Sequence, residues 1–189
     1  TSLPLVLSPG PANLSLASLG SSFGFRRSLP YLVGILLGTF GVLLMVATGL
    51  TIVVLSEPAL LHVFKGLAVG CICYLAWRIA RAPVDRRSDV AGKPPSIWLG
   101  LGLAATNPKA FAALGAVYIG HTVVADHAFA DVAAKILAIC GAIALSGTLW
   151  LSLGATFSKP LRHPKLGRAV NVAMALLMVL SIGLAVQAL

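Results

Sequence analysis

The sequence predicts an all-α integral membrane protein: six transmembrane helices in two inverted three-helix repeats, with the first helix of each half broken. Three observations carry this. Of 189 residues, 58% are hydrophobic and 10% charged, with a mean hydropathy of +0.97. A soluble domain carries about 25% charged residues, so this chain has too few charges to cover a water-facing surface. The apolar residues fall in long continuous runs of bilayer length. Two clusters of helix breakers stand at corresponding places in the two halves.

The first predicted span, Leu3 to Leu19, is short and carries Ser8, Pro9, Gly10 and Pro11 in its middle, which reads as a broken helix. The second, Leu29 to Leu55, contains no charge and is opened by Ser28 and Pro30. Pro58 begins the third, which reaches Trp77 and is interrupted only by His62 and Lys65. Pro94 and Pro95 precede the fourth, Ser96 to Ile119, whose single charge is Lys109. Val132 to Phe157, charged only at Lys135, is the fifth, and the uncharged run Ala169 to Leu189 is the sixth. Proline costs little near a helix start, where the N–H it lacks would have no intrahelical partner. A transmembrane barrel would instead show short segments of alternating polarity.

The formal charge of +9 suggests nucleic acid only if the basic residues share a soluble surface. They do not. Arg26 and Arg27 lie between spans one and two; Arg78, Arg81, Arg86, Arg87 and Lys93 end or follow span three; Lys159, Arg162, Lys165 and Arg168 lie between spans five and six. The connections around Glu57 and from Gly120 to Asp131 hold no Lys or Arg. The positive-inside rule therefore makes the three basic connections cytoplasmic, with both termini outside. The lipid bilayer, not nucleic acid, is the expected partner. The halves are residues 1–80 and 96–189, joined by a cytoplasmic linker, 81–95. The first methionine is Met45 and the chain opens at Thr1 in an apolar stretch, so further N-terminal sequence is expected; no signal peptide is read in the residues shown.

Broken helices at mirrored positions are a sequence pointer to a transporter's binding site. A mid-span proline frees a carbonyl of the preceding turn, and such groups are tolerated at membrane depth only where protein or a watery cavity satisfies them. Ser8-Pro9-Gly10-Pro11-Ala12-Asn13 and Thr106-Asn107-Pro108-Lys109 are the two breaks. An ammonium near mid-span costs about 2.5–3.5 kcal/mol, so Lys109 needs a purpose or a partner. It binds a substrate carboxylate, exchanges a proton as the cavity opens and closes, caps carbonyls freed by Pro108, or snorkels. Gly34-x-x-x-Gly38 and Gly66-x-x-x-Gly70 are faces for close helix packing and for a possible homodimer. Cys71 and Cys73 point to opposite helix faces, and with Cys140 they form neither a disulfide framework nor a redox pair. His121, Asp126 and His127 belong to a solvated outer loop, and Lys65 and Lys135 snorkel.

The segments SPGPANL, GFRRSLPYLVGILLG, CYLAWRIARAP and TNPKA resemble, in order over nearly the whole chain, the LysE/RhtB superfamily of bacterial amino-acid exporters, most of all the branch with cysteine and O-acetylserine exporters. The resemblance implies a translocator, not an enzyme, that exports a small amino-acid substrate using protons and needs no cofactor. It marks Pro9, Gly10, Pro11, Asn13, Asn107, Pro108 and Lys109 as translocation-site residues. Ala12 departs from the Asn or Asp that commonly follows PGP, which disfavours a strongly cationic substrate. No Asp or Glu lies deep in a span, so Lys109, a histidine or the substrate must carry any proton. A metal-ion or small-ion exporter and a transmembrane thiol-disulfide electron carrier are the alternatives; metal transport predicts acidic or soft ligands inside the membrane, the carrier a reactive cysteine near each break.

Overall fold

A computed structural model describes residues 7–82, 95–120, 123, 127–156 and 164–187. Among these residues the chain is all-helical, in eight helices: α1 (Pro11–Phe23), α2 (Phe25–Ala47), α3 (Leu50–Ser56), α4 (Pro58–Ala80), α5 (Ile97–Ala105), α6 (Pro108–Gly120), α7 (Ala128–Thr156) and α8 (Pro164–Gln187). Among the described residues four stretches are long and apolar enough to cross a membrane: Phe25–Ala47, Pro58–Ala80, Phe129–Thr156 and Lys165–Gly183. The first and fourth predicted spans correspond to shorter helices, α1 and the α5–α6 pair. Most of the predicted linker, with His121 and Asp126, lies outside the described residues.

Several boundaries differ from the sequence expectation: α4 runs on past Trp77 to Ala80, and α7 and α8 begin at Ala128 and Pro164, ahead of Val132 and Ala169. The second span starts at Phe25, not at Ser28–Pro30, because Gly24 at φ 83 turns the chain in a single residue between α1 and α2. The Ser28 hydroxyl donates to the Leu19 and Gly24 carbonyls at 3.2 and 2.9 Å, tying this corner together. The same span also turns at Thr48–Gly49, where Gly49 takes φ 73 and α3 begins. A glycine just past a helix end adopts this left-handed conformation without the Cβ penalty.

α1 is buried on nearly every side, including Ser15, Ser18 and Ser22. The Ser15 hydroxyl meets the fully buried Tyr31 hydroxyl at 2.9 Å, so this polar pair joins α1 to α2 inside the core. Around it pack Leu16, Leu19, Ile72, Leu75, Leu103, Leu151 and Met178.

The strongest associations join early to late helices: α1 with α7, α2 with α5, and α4 with α8. Absent side chains set the first two. A Cβ at Gly154 would overlap the Ala17 carbonyl and one at Gly20 the Leu151 carbonyl. Between α2 and α5, a Cβ at Gly34 would strike the Ile97 carbonyl, one at Gly100 the Tyr31 carbonyl, and one at Gly38 would sit 2.6 Å from the Leu101 oxygen. Helices thus approach backbone to backbone, the dispersion-driven packing that membrane helices use where no hydrophobic effect draws them together. The third pair is joined by end-capping: Arg168 donates to the Ala80 carbonyl and Asn171 Nδ2 to the Ala82 carbonyl at 3.3 Å, satisfying acceptors left over at the end of α4. The outer faces are apolar, with Trp98 75% and Phe129 87% exposed, as suits a lipid-facing surface.

Gly34→Ala and Gly154→Ala, which force backbone apart, are each expected to cost about 1–3 kcal/mol through overpacking. Gly66→Ala and Gly183→Ala, where no atom lies within 4 Å of the added carbon, stay within about 0.5 kcal/mol. Thermal unfolding of the four variants in detergent checks this; equal melting in all of them would contradict the close-contact assignment.

Candidate functional site

Both breaks restart their helix in the same way, with an N-cap followed by proline at the first helical position. At the first, Gly10 is extended (φ −165, ψ 175) and Pro11, buried, opens α1; the Gly10 carbonyl accepts from the Leu14 N–H at 2.9 Å. At the second, α5 ends at Ala105 and Pro108 opens α6. The Asn107 side chain, buried, accepts from the Lys109 backbone N–H at 3.1 Å, while its carbonyl accepts from Ala110 at 2.9 Å. Asparagine is a strong N-cap because its oxygen satisfies one of the orphan N–H groups of the first turn. The Thr106 hydroxyl donates to the Gly102 carbonyl at 2.7 Å, closing the end of α5.

The carbonyls released at the first break are met from three directions. Trp150 Nε1, on α7, donates to Leu7 O at 3.1 Å. Asn13 Nδ2 donates to Ser8 O at 3.0 Å. Lys109, from the other break, reaches across with its ammonium 2.8 Å from Ser8 O, 2.7 Å from Ser8 Oγ and 3.4 Å from Pro9 O. Lysine therefore does cap freed carbonyls, but those of Ser8 and Pro9, not those upstream of Pro108. Gly10 has an extended backbone that any residue adopts; what it supplies is space, since a Cβ there would lie 2.8 Å from Lys109 Cδ and 2.9 Å from its Nζ.

A cavity of about 80 Å³ opens between the breaks, several times the ~10–15 Å³ that one water needs. Gly10, Asn13, Asn107 and Lys109 line it. Pro9 takes part through its carbonyl, while Pro11 and Pro108 serve as first helical residues. The remaining wall is apolar or small, from Leu16, Ile35, Leu114, Ile143, Ala12, Ala110 and Gly147. Three contributors were not read from the sequence: Thr39 and Ser146 in the lining, and Trp150 at the Leu7 carbonyl. Thr39 and Ser146 each adjoin a glycine in an otherwise apolar run, a signal that marks close packing as readily as a polar wall. Thr39 donates its proton to Ile35 O at 2.7 Å and so offers the cavity acceptor lone pairs.

Lys135 lies elsewhere. Rather than snorkelling alone, it pairs with Asp131 at 2.7 Å and sits 5.0 Å from the centre of the Tyr118 ring, linking α7 to α6. Cys71, Cys73 and Cys140 do not line the cavity, and among the described residues no group of three His, Cys, Asp or Glu gathers for a metal.

Residues 3–189 match the family model for the LysE type translocator. The chain is 30% identical over 179 residues to proteins named cysteine/O-acetylserine efflux protein from Salmonella paratyphi A and from Salmonella typhi. It is 28% identical over 179 residues to the protein of that name from Escherichia coli strain K12. In each case 92% of this chain and 87% of the relative are covered. No solved structure matches the chain.

Trp150→Phe keeps an aromatic ring, though a smaller one, and leaves the Leu7 carbonyl without its indole donor, an expected loss of about 1–3 kcal/mol. Thermal unfolding checks it, and a melting temperature equal to that of the unmodified protein would show that the indole N–H contributes nothing.

Proposed function

The chain belongs to the LysE type translocator family of multi-pass membrane proteins, and on that premise we propose that it is a secondary active transporter exporting small amino acids or related metabolites from the cytoplasm. The observation that carries the site is the convergence of two half-helix starts and one ammonium on a single cavity. The N-termini of α1 and α6 carry the positive ends of their helix dipoles. With Lys109 they form a receptor for a carboxylate, as broken helices do in other transporters. Asn13 and the Ser8 and Pro9 carbonyls, grouped at the same place, suit an ammonium. Pro9, Gly10, Pro11, Asn13, Asn107, Pro108 and Lys109 are thus the proposed translocation site, the prolines acting through the helix starts they fix.

The cavity's small volume, about 80 Å³ bounded in part by Leu16, Ile35, Leu114 and Ile143, favours a short side chain, in keeping with the cysteine and O-acetylserine named for the relatives. Six crossings in two inverted halves, residues 1–80 and 96–189, are supported by the pairing of helices. Exchanging the halves about the two breaks turns the α1–α7 contact into α6–α2, which is also made though less closely than α5–α2, and returns α4–α8 to itself, in keeping with a two-fold axis in the membrane plane. The basic residues of three alternate connections favour both termini outside a bacterial inner membrane. Coupling to protons would run through Lys109 or the substrate, since no carboxylate lies deep within a span. Gly66 and Gly70, open on the outer face of α4, offer a surface for a homodimer.

Efflux of preloaded labelled cysteine, O-acetylserine and other small amino acids from vesicles tests this. Lys109→Met and Asn13→Ala are expected to lower efflux at least about tenfold, the factor of ~1.4 kcal/mol expected for one charge-assisted hydrogen bond. Unchanged efflux of every substrate in both variants would remove the site assignment.

A further inference from the structure

Resting on amino-acid export, we propose that the contact of Lys109 with Ser8 and Pro9 is an internal stand-in for the substrate, and that a zwitterion enters by exchange. Its carboxylate takes the Lys109 ammonium, and its own ammonium takes the acceptors that Lys109 leaves.

The geometry supplies both halves of this exchange. The Lys109 ammonium is held 2.8 and 2.7 Å from the two Ser8 oxygens and 3.4 Å from Pro9 O, at the edge of the cavity that Lys109 itself lines. Gly10 keeps the space through which the lysine stem passes. Drawing Lys109 away frees a cation and takes one donor from the oxygens of Ser8 and Pro9, Ser8 O keeping the Asn13 amide. A simple carboxylate satisfies the cation and leaves these oxygens one donor short. A simple amine reaches the acceptors only by displacing a like charge. A molecule with both groups close together satisfies everything that the empty site had satisfied, with no proton moved and no buried polar group left over, and leaving such a group is the expensive outcome. Ser8 is on the first break and Lys109 on the second, so exchange removes the direct bond between the breaks and replaces it with one through the substrate. Ser8 is therefore a positioning residue: it holds the ammonium in place while the site is empty.

The test uses the full chain in proteoliposomes, exporting labelled L-cysteine, with three competitors matched in thiol and size: unlabelled L-cysteine, cysteamine, which lacks the carboxylate, and 3-mercaptopropionate, which lacks the ammonium. L-serine, ethanolamine and 3-hydroxypropionate form a second matched set. Cysteine and serine are expected to inhibit at concentrations at least about tenfold below their one-charge counterparts. Equal inhibition by either counterpart overturns the exchange while leaving amino-acid export standing; no export of any labelled amino acid in the panel overturns both. In Ser8→Ala, where the ammonium has lost an internal partner, 3-mercaptopropionate is expected to inhibit several-fold more strongly than in the unmodified protein, and Ser8→Thr to restore the original ratio. A uniform weakening of all competitors in Ser8→Ala would reduce Ser8 to a structural role and overturn its assignment.

Discussion

Backbone carbonyls released by a break in a helix must find donors inside the protein when the surroundings are hydrocarbon, and the rest of this structure depends on that requirement. Between Leu7 and Gly10 four consecutive carbonyls are settled by four different donors: the Trp150 indole, the Lys109 ammonium shared between Ser8 and Pro9, the Asn13 amide, and the Leu14 N–H. Two of these donors come from the second half of the chain. Satisfying one short segment therefore fixes where α6 and α7 stand relative to α1, and the cavity is what remains between them.

The same requirement explains why one lysine has two readings. An ammonium inside a membrane protein is costly alone, and so are unpaired carbonyls; each is the remedy for the other. An arrangement built for stability by that logic is also a matched pair of binding surfaces, one cationic and one rich in acceptors. The N-caps follow suit. Glycine before proline and asparagine before proline place two helix starts at the same cavity, and asparagine adds a side-chain oxygen that secures the Lys109 backbone.

Much of this was legible in the sequence because prolines and charges in apolar runs have few permissible explanations. The break at Asn107-Pro108, the restart at Pro11 and the isolation of Lys109 all follow from residue types and spacing. The partner of Lys109 did not, because Ser8 is 101 residues away in the chain and nothing local ties the two. Trp150 was equally silent: an indole in an apolar run reads as packing until its N–H is seen to have an acceptor. Gly49 and Gly34 show the ambiguity of glycine. One ends a helix through its left-handed backbone and the other admits a neighbouring backbone, yet both stand in the same apolar run.

The pairing of early with late helices also bears on how the protein is made. α1 is the most enclosed helix, short and studded with serines, and its closest partner, α7, is synthesised more than a hundred residues later. α2 likewise waits for α5. The first three helices accordingly leave the ribosome with their future core exposed and with the carbonyls of residues 7–9 lacking the donors of α6 and α7. Insertion and folding are then separate events: the early helices must persist in the bilayer as an open intermediate, protected by lipid, water or assembly factors, until the second half arrives to close around them.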